Sequence, residues 1–197
     1  WDKGLVIKGY KVVHYCPRCG TPLSSHEVAQ GYKDDTVDPA ITVKFRVRGK
    51  TNEFLLAWTT TPWTLPGNVA LAVGKNITYV RARQGDEIYI LAKDRLNAVL
   101  GAEAEVIEEL SGANLLGIEY EPLYSFVEYK ERVHYVAAAD FVSTTDGTGI
   151  VHTAVMYGED DFKLGQELGL PQVHLVGARG EFLPFVTPFA GKFVKSA

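Results

Sequence analysis

Apolar and polar residues alternate through Ile41-Thr42-Val43-Lys44-Phe45-Arg46-Val47-Arg48, the period-two signature of a strand with one buried face. Runs rich in β-branched and aromatic residues predict further strands over 53–59, 69–73, 77–83, 87–92, 133–139, 149–154 and 173–176. Gly85-Asp86, between two of these runs, is a hairpin signal. Residues 5–15 also read as a strand. Helical patterns are short, over 93–100, 112–116 and 159–168; in the last, Phe162, Gly165 and Leu168 fall three apart on one face. Many short strands with few helices predict an α+β domain built on a β-barrel-like sheet. Residues 1–39 differ: the strand-like stretch is followed by two cysteines and by a polar run over 24–39 containing Gly31, Asp34, Asp35 and Asp38. They read as an N-terminal Cys-x-x-Cys arm leading into a main body over 40–197.

Composition narrows the classes. In 197 residues, 24 acidic side chains outnumber 20 basic ones, and the resulting charge of −4 disfavours a purely electrostatic grip on DNA or RNA. No apolar run approaches the roughly 18 residues that span a membrane. The N-terminus, Trp1-Asp2-Lys3-Gly4, lacks the charged-then-apolar order of a signal peptide and an initiator Met, so a piece of a longer protein is expected. Two closely spaced cysteines read as a metal knuckle in a reducing compartment rather than as a disulfide framework.

Four constellations carry candidate chemistry. In Trp58-Thr59-Thr60-Thr61-Pro62-Trp63-Thr64-Leu65-Pro66-Gly67-Asn68, a strand runs into clustered hydroxyls and a proline-restricted turn. Each hydroxyl offers one donor and two acceptors, which suits sugar hydroxyls or a carbonyl, although a Thr-rich strand before an ordinary turn reads the same way. In Asp146-Gly147-Thr148-Gly149-Ile150-Val151-His152-Thr153-Ala154, a glycine turn feeds an apolar strand and a histidine; Glu159, Asp160 and Asp161 then open a helix. Carboxylates are favoured there by the helix dipole, and three exceed what capping requires, so one is free to bind a substrate ammonium. His152 reads as a structural histidine as readily as a base. Cys16-Pro17-Arg18-Cys19-Gly20 is one knuckle of a zinc site that ordinarily needs four ligands; His14 and His26 are the nearby candidates, at spacings that match no common finger. Finally, Lys44, Arg46, Arg48 and Lys50 share one strand face, a phosphate-tracking stripe or simply a solvated surface. Hydrolase, Walker-loop, dinucleotide and zinc-protease signatures are absent from the sequence.

Together these segments resemble the editing domain inserted into class I aminoacyl-tRNA synthetases, most closely the isoleucyl type. The Thr-Thr-Thr-Pro-Trp-Thr-Leu-Pro run with Asn68, the Gly147–Ala154 motif, the Cys-x-x-Cys arm and Thr187-Pro188-Phe189-Ala190-Gly191 carry the likeness over nearly the whole chain. Valyl and leucyl relatives typically carry Thr-Thr-Arg-Pro. One departure stands out: the family often reads Pro-Ala-Phe-Gly where this chain has Val155-Met156-Tyr157-Gly158, which predicts a looser loop before Asp161.

The resemblance implies an aminoacyl-tRNA ester hydrolase that needs no cofactor. An isoleucine-activating pocket rejects valine by only about 150-fold, a known property of isoleucyl enzymes, and a second sieve hydrolyses the error. The implied substrates are valine on the 3′ end of isoleucine tRNA and valyl-adenylate. The other implied partner is the remainder of a parent synthetase, with no DNA or membrane involved and a cytoplasmic location. By the same resemblance, Asp161 binds the α-ammonium, Thr60 and Thr61 hold the ester or terminal adenosine and place the water, and Asn68 and Thr59 bind nearby. His152 and Trp58 line the amino-acid pocket. Cys16 and Cys19 are half a zinc site, completed only in the full-length parent. Valyl-type editing of threonine, a passive module for the tRNA 3′ end and a zinc-ribbon scaffold are the alternatives.

Overall fold

The computed structural model describes residues 2–31, 33 and 35–197; Trp1 and Asp34 of the readings above lie outside the described residues. The arm contains a small hairpin, β1 (Tyr15–Cys16) against β2 (Thr21–Pro22), and one helical turn, α1 (Ser25–Val28). Ser24 and Glu27 cap that turn reciprocally, a helix start that the polar composition of the stretch had concealed. The strand expected over 5–15 is not formed. Among the described residues no strand pairs with residues 5–14, and Leu5, Val6 and Ile7 remain exposed.

The body is one eight-stranded sheet of β3 (Ile41–Arg46), β4 (Glu53–Thr59), β5 (Ala70–Val73), β6 (Thr78–Gln84), β7 (Glu87–Ala92), β8 (Glu105–Ser111), β9 (Tyr135–Ala138) and β10 (Ile150–Thr153). Helices α2 (Leu96–Leu100), α3 (Gly112–Leu115) and α4 (Glu159–Leu168) complete the mixed α+β fold. The strands run in the order β8-β6-β7-β4-β10-β5-β9, with β3 on the free edge of β4. Irregular residues 117–121 bridge the curled sheet. On one side Gly117 N–H donates to Val136 O and Val136 N–H to Ile118 O; on the other, Arg48 N–H donates to Glu119 O and Glu121 N–H to Arg46 O. The barrel-like expectation therefore holds, with a connecting segment rather than a regular strand joining β9 to β3.

Phe45, Leu55, Ala57, Leu71, Val73, Tyr120 and Ile150 fill the interior. Phe54 and Leu56 point to the opposite face of β4, under Leu96, Val99 and Leu100 around α2. Burial on both faces explains why β4 reads as a nearly continuous apolar run instead of alternating.

Two further strand assignments change. β8 was not anticipated, because Glu105-Val106-Ile107-Glu108-Glu109 stays exposed on an outer strand and shows no buried-face pattern. Residues 173–176 form no strand; only Val176 bridges Phe182, while Leu175 joins Phe182 and Val186 in a satellite core.

Candidate functional site

β4 and β10 run parallel, with Val151 opposite Trp58, so both chains leave the sheet at the same rim. From β4 the chain passes through Thr60 and Thr61 into a 3-10 turn, Pro62–Gly67, where proline suits a position whose N–H has no helical acceptor. Thr61 N–H donates to Thr59 Oγ1 at 3.1 Å, bending the backbone out of the strand. Thr60 and Thr61 are exposed and line a cleft of about 460 Å³ together with Pro62, Trp63, Tyr124 and Phe189.

Beneath this loop lies a buried hydrogen-bonded chain. Thr64 Oγ1 donates to Thr61 O at 2.8 Å and meets His152 Nε2 at 2.7 Å. Asn68 Nδ2 donates to Ala70 O at 2.9 Å and to His152 Nδ1 at 3.3 Å, and Tyr120 Oη donates to Asn68 Oδ1 at 2.6 Å. Burial pushes the His152 pKa down to about 4, and both ring nitrogens are engaged. The ring is therefore a neutral structural link and has no nitrogen free to take a proton from water. Thr64 was not among the anticipated site residues, although it stands in the Thr-rich segment; Tyr120 has no local sequence signal at all.

Asp161 is the third helical residue of α4 after the N-cap Gly158. Its side chain folds back so closely that a Cβ on Gly158 would sit 2.2 Å from Oδ2. Oδ1 is buried and has no hydrogen-bond partner. Burial raises the Asp161 pKa to about 7, partly opposed by the Ala154 backbone N–H. A largely buried carboxylate with one oxygen short of a partner suits a small cation such as an ammonium group.

Side-chain contacts hold the loop ahead of Asp161. Val155 is buried against Gly165, Tyr157 Oη accepts the Leu175 N–H at 2.7 Å, and the Tyr157 ring packs edge-on against Trp63 at 5.3 Å.

Trp58 does not join this group. Strand alternation turns it outward, 36% exposed, into a separate cleft with Thr42, Tyr89, Arg95 and Gly147. The basic stripe is also occupied. Lys44 pairs with Glu87, Arg46 with Glu121 at 3.2 Å and Arg48 with Glu119 at 2.7 Å, while Lys50 lies beyond the strand.

At the arm, Cys19 N–H donates to Cys16 Sγ at 3.4 Å, and Gly20 N–H donates to Cys16 O. Hydrogen bonding from Cys19 lowers the Cys16 thiol pKa, which favours the thiolate a metal needs. The pair fits half of a tetrahedral zinc set. Among the described residues no group of three His, Cys, Asp or Glu side chains could hold a metal ion, so His14 and His26 do not complete it. No described helix is long and apolar enough to cross a membrane.

No family model matches the chain. It is 53% identical to an isoleucine–tRNA ligase of Clostridium novyi and 54% identical to that of Clostridium acetobutylicum, over 197 residues and 100% of its length. The isoleucine–tRNA ligase of Bacillus thuringiensis is 50% identical over 194 residues, or 98% of this chain. The chain spans only 19% of each of these relatives. Among solved structures, GlLeuRS-CP1 is similar with a TM-score of 0.55 and 21% identity, covering 65% of this chain and 59% of that one. The editing domain of P. knowlesi cytosolic leucyl-tRNA synthetase also has a TM-score of 0.55, with 15% identity, covering 72% and 67% respectively.

Proposed function

We propose that this chain, which matches one region of isoleucine–tRNA ligases and shares the fold of CP1 editing domains, hydrolyses valine mis-esterified to isoleucine tRNA, and valyl-adenylate. The observation that carries this reading is Asp161, whose buried Oδ1 lacks a partner in the first turn of the helix that follows β10. The substrate's α-ammonium is the partner this oxygen lacks, and ion pairing there would bring the carboxyl into its charged form.

Thr60 and Thr61, exposed at the cleft, hold the ester or terminal ribose and position a water for attack on the ester carbonyl. Attack breaks the acyl–oxygen bond, giving free valine and a ribose hydroxyl. Thr59, Asn68 and His152 support that loop from below, and His152 acts as a rigid wall that limits side-chain size. Because His152 has no free ring nitrogen, the neighbouring ribose hydroxyl of the substrate assists the attacking water. The rest of the synthetase would hold the tRNA body in the cytoplasm and supply the two ligands that a zinc ion at Cys16 and Cys19 would still need.

The test is hydrolysis of valyl- and isoleucyl-esters of isoleucine tRNA by this chain and by Asp161→Ala. Loss of valine alone, abolished in the variant, is the expected result. Equal hydrolysis of both esters, or full activity without the carboxylate, would overturn the reading.

A further inference from the structure

We propose that Tyr120 is a positioning residue of the Thr-rich loop: acting through Asn68, its hydroxyl holds His152 in the Nε2–H tautomer and so aims the Thr64 hydroxyl at the Thr61 carbonyl. Its effect on hydrolysis rests on the editing function proposed above; the tautomer does not.

The argument is one of hydrogen-bond polarity. Two backbone carbonyls, which can only accept, stand at the ends of the buried chain. At one end Ala70 O lies 2.9 Å from the Asn68 side chain, so the atom facing it is the amide nitrogen. That same nitrogen faces His152 Nδ1 at 3.3 Å, so Nδ1 must be the accepting nitrogen of the ring. At the other end, Thr61 O takes the Thr64 hydroxyl proton at 2.8 Å. Thr64 Oγ1 therefore accepts from His152 Nε2–H at 2.7 Å. The Asn68 end sets the tautomer, and the Thr64 hydroxyl at the other end matches it.

Reversing the chain would flip the amide, set Asn68 Oδ1 against Ala70 O and leave Thr61 O with the Thr64 backbone N–H alone. Protonating both ring nitrogens would set a ring N–H against the Asn68 amide N–H. Each alternative leaves like groups facing each other in a dry interior, a costly arrangement.

Tyr120 supplies the remaining restraint. It is fully buried, and its hydroxyl is the donor to Asn68 Oδ1 at 2.6 Å. Without it, Oδ1 is a buried acceptor with no donor, and the amide loses the contact that fixes its orientation towards His152. The residue reaches this place because 117–121 bridges the curled sheet, which carries Tyr120 into the interior against Phe45 at 5.2 Å.

The experiment reads the histidine ring nitrogens by ¹⁵N NMR in the wild-type chain, Tyr120→Phe and Asn68→Asp, beside valyl-tRNA hydrolysis by each. The wild-type His152 is expected to show a bare Nδ1 and a protonated Nε2. Tyr120→Phe should give mixed tautomers and an about tenfold slower hydrolysis, the size expected when one buried hydrogen bond is lost. Asn68→Asp keeps Tyr120 and the packing but places an acceptor at Nδ1, so the proton should move there even if Tyr120→Phe fails to fold. A protonated Nδ1 in the wild type overturns the proposal. So does a Tyr120→Phe chain that folds and shows a slower rate without a tautomer change, or a tautomer change without a slower rate. If the wild-type chain hydrolyses no valyl ester, the editing function fails, and the spectra alone decide the tautomer.

Discussion

Val151 lies directly opposite Trp58 on neighbouring parallel strands, and this one pair brings two distant motifs to the same rim. Beyond Trp58 come Thr59, Thr60 and Thr61; beyond Val151 come His152 and the loop to Asp161. Antiparallel neighbours would have sent these groups to opposite ends of the sheet. Trp58 itself faces outward, where a Cβ on Gly147 would come within 2.9 Å of its ring. It braces the Gly147–Gly149 turn from outside.

Asp161 and His152 should impose opposing pH slopes on stability. The folded Asp161 pKa is raised to about 7 from 3.8, so as pH rises between these values the unfolded chain releases a proton that the folded chain keeps, and stability falls. The folded His152 pKa is lowered to about 4 from 6.5, so stability falls as pH drops through that window. His134, also depressed by burial, acts in the same direction as His152. Asp161→Asn should gain about 2 kcal/mol at pH 8, roughly half of the full shift because the carboxyl is partly exposed. Its stability should rise clearly from pH 4 to 6.5. Denaturant titrations across pH check this, and identical profiles for variant and wild type would refute it.

Gly149 should not tolerate a side chain. Its φ is +75°, and a Cβ would stand 2.4 Å from the Ala92 Cβ. Gly149→Ala is expected to cost about 3 kcal/mol through strain and overpacking. Adding Ala92→Gly should recover the packing part but not the backbone part, as read from unfolding midpoints.

The paired stripe should contribute little to RNA affinity. Arg46 and Arg48 already face Glu121 and Glu119, so phosphate would have to displace a carboxylate at each. A cation that contacts phosphate adds roughly 0.7–0.9 to the slope of log affinity against log salt. Arg46→Ala and Arg48→Ala should leave that slope unchanged in tRNA-binding titrations; a fall of that size would show that the ion pairs open.

Zinc should be held weakly by this chain alone, since two thiolates supply half of the usual four ligands. Elemental analysis is expected to find well under one zinc per chain, and chelation should leave the unfolding midpoint unchanged. Tightly held, stoichiometric zinc would contradict this.

How much of the molecule was legible in its sequence follows from the range of the forces involved. Alternation marked β3, turn chemistry marked the β6–β7 hairpin, and the acidic run with spaced Phe162, Gly165 and Leu168 marked α4, because these signals arise between near neighbours. The Thr-rich and Gly-Thr-Gly segments declared themselves as long motifs. β8 was hidden because an exposed outer strand has no buried face to pattern, and residues 5–15 misled because apolar content cannot supply a pairing partner. What the site does with its residues was decided by tertiary structure. Strand alternation turned Trp58 away from the threonines, and closure through 117–121 brought Tyr120 to Asn68, 52 positions earlier in the chain. A hydrogen-bond polarity or a burial-shifted pKa depends on which groups share a dry volume, and only the folded chain determines that.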